Sequence, residues 1–456
     1  MGMSLATPAT NITRTLAEYA VSTSAGALPS EVRERGRLIL MDELACAAFG
    51  QTREPGRLAA AFAASVGGAG PCRILGTRLR VTAPYAALAN GTAGHADEVD
   101  GAHVVGGHPG ATIVHAVTAV AGWRRTSGAD LLNAVVLGYE IGNRAVRASG
   151  GAFGLKSRRH LHADFLHAVG AAAAACRLLR LAPECYVHAM ALATFQANGL
   201  SALFGERRHI SKSFCNGQFA FAGVSAALMA ETGLEASDDV FGAEHGLVEA
   251  WGLENAPELL TNGLGDTHEV MGANFKFMNA GYPIHAAVQA AMTLVTEHDI
   301  DPSQIEAVAV GMPTHALRVV DNRAMHNICL QDMLAAALVQ RGLRLREDPF
   351  PQILTNSAFH DMRSRIVLSP DAVLDRDQPN GRGARVDLHL RDGEHLSCRV
   401  DRPKGHCTGP AVGWDDLVAK WTEGLPSLDV HRLAAQCHDI EAVEDVDELL
   451  RTFDEA

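Results

Sequence analysis

Apolar residues recur at helical spacing through most of the first 300 positions. Val32, Leu38, Leu40, Met41, Leu44 and Ala45 keep that period and predict a helix that runs to Gly50. Pro29-Ser30-Glu31 opens it, with Ser30 as the expected cap and Glu31 at the positive end of the dipole. Residues 86–95, 111–123, 131–146, 219–231 and 286–298 predict further helices, most of them small and apolar on every face. Residues 170–181 read GAAAAACRLLRL, and five consecutive alanines allow close backbone approach to neighbours on several sides. Helices apolar all round are buried ones, so this pattern predicts a large all-α core. No short repeat period is evident.

The pattern changes after about residue 270. Residues 305–311 (IEAVAVG) predict a strand, and 366–368 a second. Residues 386–390 and 395–400 flank Arg391-Asp392-Gly393-Glu394, where Asp-Gly signals a hairpin. Residues 334–343 read as a helix between them, and the polar stretch 375–385 as a loop. Residues 414–453 are helical again and are expected to pack back on the first core. The expected class is therefore mainly α. An all-helical domain spans 1–270 and is completed by 406–456, and a smaller α+β domain spans 271–405.

Composition narrows the function. The chain has 456 residues, 47% hydrophobic and 20% charged, enough apolar material for a sizeable core. The formal net charge of −13 gives no broad basic field for nucleic acid, yet a local pocket can still hold an anion. Nine cysteines form no CxxC pair, and several sit in apolar runs, as reduced thiols of a cytoplasmic protein do. Residues 1–18 carry no apolar signal segment. Residues 101–123 and 213–230 lack charge, but their histidines, glycines and amides do not suit a membrane span. No nucleic-acid or membrane partner is expected.

Chemistry concentrates in residues 90–110, NGTAGHADEVDGAHVVGGHPG. His95, Asp97, Glu98, Asp100, His103 and His108 fall within 14 positions, able together to supply a base, an acid and anion contacts. The alternative is a helix end whose carboxylates cap or face water. No HExxH or paired ligand spacing appears, so no metal site is expected. A dinucleotide fingerprint, a P-loop and a GxSxG elbow are absent.

With these residues in hand, the sequence resembles the MmgE/PrpD family, which includes 2-methylcitrate dehydratase, cis-aconitate decarboxylase and iminodisuccinate epimerase. The resemblance is carried in order by residues 28–50, 74–103, 106–111 (GGHPGA), 170–181, 212–234, 283–310 and 402–410 (RPKGHCTGP). It implies a large helical domain with an α+β lid, a homodimer, no metal or organic cofactor, and a site in the cleft between the domains. It also implies a small di- or tricarboxylate substrate and removal of a proton α to a carboxylate.

The family's site residues carry over unevenly. Its motif H-x-x-D-x-D-D meets His95, Glu98, Asp100 and Gly101, so Glu98 replaces an aspartate and Gly101 an acid. His108 keeps the HPG histidine, and Lys212 keeps the lysine of K-x-x-x-x-G. The histidine before the alanine-rich helix is His160 or His162. A histidine that decarboxylases carry aligns near Gly281, and a tyrosine near Asp332, which argues against decarboxylation. His108, Lys212, Glu98, Asp100 and His162 are the catalytic candidates: imidazole as acid or base, ammonium as a compact counter-ion to a developing enediolate. His103, Arg158, Arg207 and Lys404 are the substrate-binding candidates, since guanidinium grips carboxylates bidentately. His108 and Lys212 are both expected to open into a solvent-filled cleft. Dehydration is the leading expectation, with epimerisation as the alternative and a decarboxylase or inactive member behind them.

Overall fold

The computed structural model describes residues 11–251, 257–377 and 381–454. The signal-segment reading of residues 1–18 falls largely outside these, as do positions 378–380 of the expected loop.

Among the described residues, ten helices before residue 232 build most of the first body: α1 (Ile12–Ser22), α2 (Ser30–Gly50), α3 (Glu54–Val66), α4 (Ala83–Gly94), α5 (Pro109–Trp123), α6 (Gly128–Ala148), α7 (Gly151–Arg159), α8 (His167–Leu178), α9 (Pro183–Gln196) and α10 (Ser211–Glu231). Pro29, not Ser30, occupies the cap of α2. Ser30 is the first helical residue, and its Oγ donates to Glu31 at 3.2 Å. Ala171 to Ala175 of α8 are fully buried, as five small residues between neighbouring helices require.

Small residues set the helix positions around the site. Gly91 of α4 and Gly217 of α10 meet where these helices cross. A Cβ on Gly91 would lie 2.9 Å from Gly217 Cα, and one on Gly217 would lie 2.2 Å from Leu88 O. Only glycine at both positions lets the backbones touch. That crossing carries the first turn of α10 up to the end of α4.

The strands are few. β1 (Cys72–Arg73) and β2 (Arg80–Val81) form one antiparallel pair, and β3 (Ala102–His103) and β4 (Ala273–Asn274) another. A four-stranded sheet, in the order β6-β5-β7-β8, comprises β5 (Ile305–Met312), β6 (Ile366–Pro370), β7 (Ala384–Leu390) and β8 (His395–Val400). β6 runs parallel to β5, and β7 lies antiparallel to both β5 and β8. Gly393 adopts φ 91° in the β7–β8 turn, and Glu394 N donates to Asp392 Oδ1 at 2.9 Å. The Asp-Gly hairpin thus has its turn chemistry.

Two apolar cores result. One spans the helical body and the C-terminal helices, where Trp421 packs 5.9 Å from Phe49. The other lies between the large sheet and helices His285–Glu297 and Leu330–Gln340. The first core reaches past residue 271. Ala273 pairs with His103, and Phe275 is buried among the helices. This stretch carries a lysine into the site.

Candidate functional site

The segment after α4 turns sharply. Asp97 and Glu98 adopt φ 65° and 58°, a left-handed pair that costs non-glycine residues about 1–2 kcal/mol each. Side chains hold both. Asp97 Oδ2 accepts from Arg53 Nε at 3.0 Å and Asn279 Nδ2 at 2.8 Å. Glu98 accepts from Lys212 Nζ, from Lys276 Nζ at 2.8 Å and from His209 Nε2 at 3.0 Å. Lys276 also bonds Glu98 O at 3.0 Å. The strained turn aims Glu98 into a cage of cations.

His95 continues the network. Its Nδ1 lies 2.8 Å from Asp100 Oδ1, and Lys212 Nζ lies 2.5 Å from its Nε2. The lysine can only donate, so the imidazole accepts at Nε2 and carries its proton on Nδ1. Burial is the main cause that holds His95 well below the usual histidine range, so it stays neutral. Burial alone would raise Glu98, but the Lys212 and Lys276 ammonium groups outweigh it and keep it well below the carboxylate range. Asp100 is held low in the same way by His95, His108 and Lys276. The cluster thus sets two ionised carboxylates against two ammonium groups.

His108 stands at the entry to α5. Gly107 before it has φ 92°, and a Cβ there would meet Asp164 Oδ1 at 2.4 Å. The bare backbone lets His108 N donate to that oxygen at 3.1 Å. His108 Nδ1 faces two acceptors, Gly101 O at 3.0 Å and Asp100 Oδ2 at 3.2 Å. The proton is therefore assigned to Nδ1, leaving the Nε2 lone pair 3.7 Å from Glu98 Oε2.

These groups floor a cleft of about 730 Å³, part of it open to solvent. Glu98, His103, His108, His162 and Lys212 line it. Phe153, Phe204, Tyr282, Pro283, Val319 and Ile328 supply apolar surface, and Lys156 and Arg382 add cations. Burial, with Arg323 and Lys212 nearby, pushes Lys156 down to about 8. Its Nζ sits 3.9 Å over the Phe204 ring.

The structure brings most of the expected residues together and leaves others apart. Glu98, Asp100, His108 and Lys212 share one cluster. His162 lines the cleft, whereas His160 is exposed at the end of α7. His103 also lines the cleft, but its Nε2 is engaged with Glu269 O at 2.7 Å. Lys212 does not open into solvent. It is 3% exposed and locked to Glu98, while the His108 side chain is 11% exposed. Arg158, Arg207 and Lys404 do not line the cleft. Arg158 Nη2 donates to Ser149 O at 3.3 Å, and Lys404 pairs with Asp416 at 2.6 Å. Arg207 is exposed beside a second cavity that includes Arg53 and Arg208.

Sequence reasoning missed His209, Lys276, Lys156 and Arg382. Lys276 stood between Phe275 and Phe277, a buried setting that asks for a partner. The donor atoms of His95, Glu98 and His209, and those of His95, Asp100 and His108, cluster within 4.8 Å, a spacing that suits a cation. In the first set the Lys212 ammonium already bonds both His95 and Glu98.

The chain belongs to the MmgE/PrpD family: the family's N-terminal domain matches residues 14–259 and its C-terminal domain residues 278–446. It is similar to the cis-aconitate decarboxylase-like protein oryM of Aspergillus oryzae, 25% identical over 97% of each chain. It is also similar to the cis-aconitate decarboxylases of Aspergillus terreus (25%, 86% of this chain and 85% of the relative) and Homo sapiens (24%, 90% and 87%). Its function at family level is that of a lyase-bearing enzyme family. Among the described residues, no helix is long and apolar enough to cross a membrane.

Proposed function

We propose that this protein is a lyase that abstracts a proton α to a carboxylate of a small di- or tricarboxylate and eliminates water. The observation that carries this reading is the orientation of His108. Its Nδ1 is fixed by Gly101 O and Asp100, so Nε2 faces the cleft as a base. The C–H electron pair passes into an enediolate, whose charge needs a cation in a water-poor site. Lys212 is that cation. Its ammonium gives a proton to the departing hydroxyl, which leaves as water while the carbon–carbon double bond forms. Glu98 bonds Lys212 and lies 3.7 Å from His108 Nε2, so it sits on the path that returns the proton.

Epimerisation is the second reading, favoured by a second imidazole on the same cleft. Burial pulls His162 to about 4, so it is neutral at pH 7 and able to accept a proton. The test is incubation of hydroxylated and unsaturated polycarboxylates in deuterated buffer, followed by NMR. Deuterium at the α-carbon with a new alkene supports dehydration. Deuterium with inverted configuration supports epimerisation. Carbon dioxide release without α-exchange transfers the relatives' decarboxylase chemistry to this chain. No exchange and no product with any substrate overturns proton abstraction.

A further inference from the structure

The chain contains five lysines: Lys156, Lys212, Lys276, Lys404 and Lys420. Four of them meet a carboxylate. Lys212 and Lys276 pair with Glu98, Lys420 with Asp42 and Lys404 with Asp416. Lys212, Lys276 and Lys420 are also buried, whereas Lys404 reaches solvent. Lys156 differs from all four. It lines the cleft, and among the described residues no carboxylate stands within ion-pair distance of it. Its Nζ rests over the Phe204 ring, and Arg323 holds that residue by donating to Phe204 O. Lys404 is the natural comparison. Its Nζ also lies over a ring, 4.5 Å from the centre of Phe277, but Asp416 grips the ammonium at 2.6 Å. Burial, with Arg323 and Lys212 nearby, brings Lys156 to about 8, so at that pH half of it is free amine. A free amine is a nucleophile, and an ammonium is not.

We propose that Lys156 is a modification site, acylated by a small acyl phosphate, and that the amide so formed shuts anionic ligands out of the cleft. The amine's electron pair attacks the acyl carbon and a C–N bond forms. The bond from that carbon to the phosphate oxygen breaks, inorganic phosphate leaves with the pair, and the amine's proton passes to water. Arg323 and Lys212 draw the donor's phosphate charge toward the amine. The amide carries no charge, so the cleft loses a cation and gains an acyl group beside Phe204. The site itself stands on the amine; the effect on turnover rests on the carboxylate reading above.

The test is incubation of the full chain with acetyl phosphate at pH 8, with the acetyl groups mapped by peptide mass spectrometry. Lys156 should react about tenfold or more faster than Lys404, and Lys212, Lys276 and Lys420 should stay unmodified. The rate at Lys156 should climb with pH and level off beyond about 8. Succinate should slow it without slowing Lys404. Deuterium exchange into substrate should fall in step with acetylation. Lys156→Arg keeps the charge and resists acetylation, so its own exchange rate should survive the treatment. An unmodified Lys156, or equal labelling of Lys156 and Lys404, overturns the site. Acetylated Lys156 with unaltered exchange upholds the site and overturns the closing of the cleft. If no substrate exchanges at all, the carboxylate reading fails; the mass map still decides the site, and succinate binding by the acetylated chain decides the closing.

Discussion

Two buried charge clusters flank the same turn of chain, residues 95–101, and they are built from the same residue types. On the cleft side, two ammonium groups meet Glu98 and Asp100, and both carboxylates are held ionised. On the far side, Asp42 and Glu43 of α2 share the single Lys420 of the C-terminal helix Trp414–Gly424. Lys420 Nζ bonds Asp42 Oδ1 at 2.7 Å and Val99 O at 3.2 Å, and Glu43 Oε1 accepts Gly101 N at 3.1 Å. Burial, with repulsion from Asp100 and Asp42, pushes Glu43 well above the carboxylate range, so it is a neutral carboxyl. The local count of cations decides which acids can do chemistry and which are scaffold. Gly101 O accepts from His108, so the far cluster acts by holding the base's orientation.

The largest effects should come from the cleft side. His108→Ala and Lys212→Ala should each lower turnover by about two to four orders of magnitude, the scale of a lost acid–base group or oxyanion partner. Their stability should differ. Lys212→Ala leaves Glu98 with one ammonium fewer in a buried site and should lower the melting temperature, whereas His108→Ala, although His108 is also buried, takes no cation from Glu98 and should lower it less. Equal and near-normal turnover in both variants would remove the distinction between the clusters.

Glu98 sharpens it. Glu98→Gln removes the charge that two lysines share, and should cost at least about a hundredfold in turnover along with stability. Glu98→Asp keeps the charge but retracts it by one methylene, and should lose less than the amide does. Full activity in Glu98→Gln, measured as α-proton exchange, would make this carboxylate scaffold like Glu43.

On the far side, Lys420→Met should act on stability first, at about 2–3 kcal/mol by denaturant unfolding. That is below the usual cost of breaking a buried pair, because burial already raises Asp42 and it can take up a proton instead. Turnover should fall by no more than about tenfold, through loss of the Val99 anchor.

This contrast explains what could be read in advance. His95, Glu98, Asp100 and His108 lie within one short segment, so their density in the chain was visible before their geometry. The helices were legible because small apolar residues persist on all faces, and the β7–β8 hairpin because Asp-Gly demands its turn. His209 and Lys276 come from α10's approach and from the strand-like stretch after β4, 111 and 178 residues from Glu98. Nothing local marks His209, and only its two flanking phenylalanines mark Lys276. The two-residue pairing of β3 with β4 was equally hidden, since two residues carry no period.

A smaller, pH-dependent effect should come from Lys156. Burial brings it to about 8, so its charge is full at pH 6 and is lost as pH rises through 8. An anionic ligand should therefore bind more weakly above that point, with KM rising roughly tenfold as one charge-assisted contact disappears. Lys156→Arg should move this limb beyond the accessible range, and Lys156→Met should remove it while raising KM at every pH. A KM flat from pH 6 to 9.5 in the unaltered protein would take Lys156 out of the ligand's reach.

The smallest effects should fall on the three cations that the sequence alone offered as carboxylate clamps. Arg158 and Arg207 are exposed, and Lys404 is half-exposed against Asp416, 4.5 Å from the Phe277 ring. Exposed ion pairs contribute about 0–1 kcal/mol, because water and salt screen them. None of the three touches the cleft wall, so Arg158→Ala, Arg207→Ala and Lys404→Ala should leave both kcat and KM within about twofold of the parent. They should differ in that respect from Lys156→Met, although all four remove one positive charge. The comparison therefore separates a specific contact from the general field of the protein, which any lost cation would weaken alike. A tenfold rise in KM for Arg207→Ala alone would bring the second cavity, which it shares with His209, into contact with the ligand. A uniform rise in all four, abolished by 0.5 M salt, would replace the clamp at Lys156 with long-range steering.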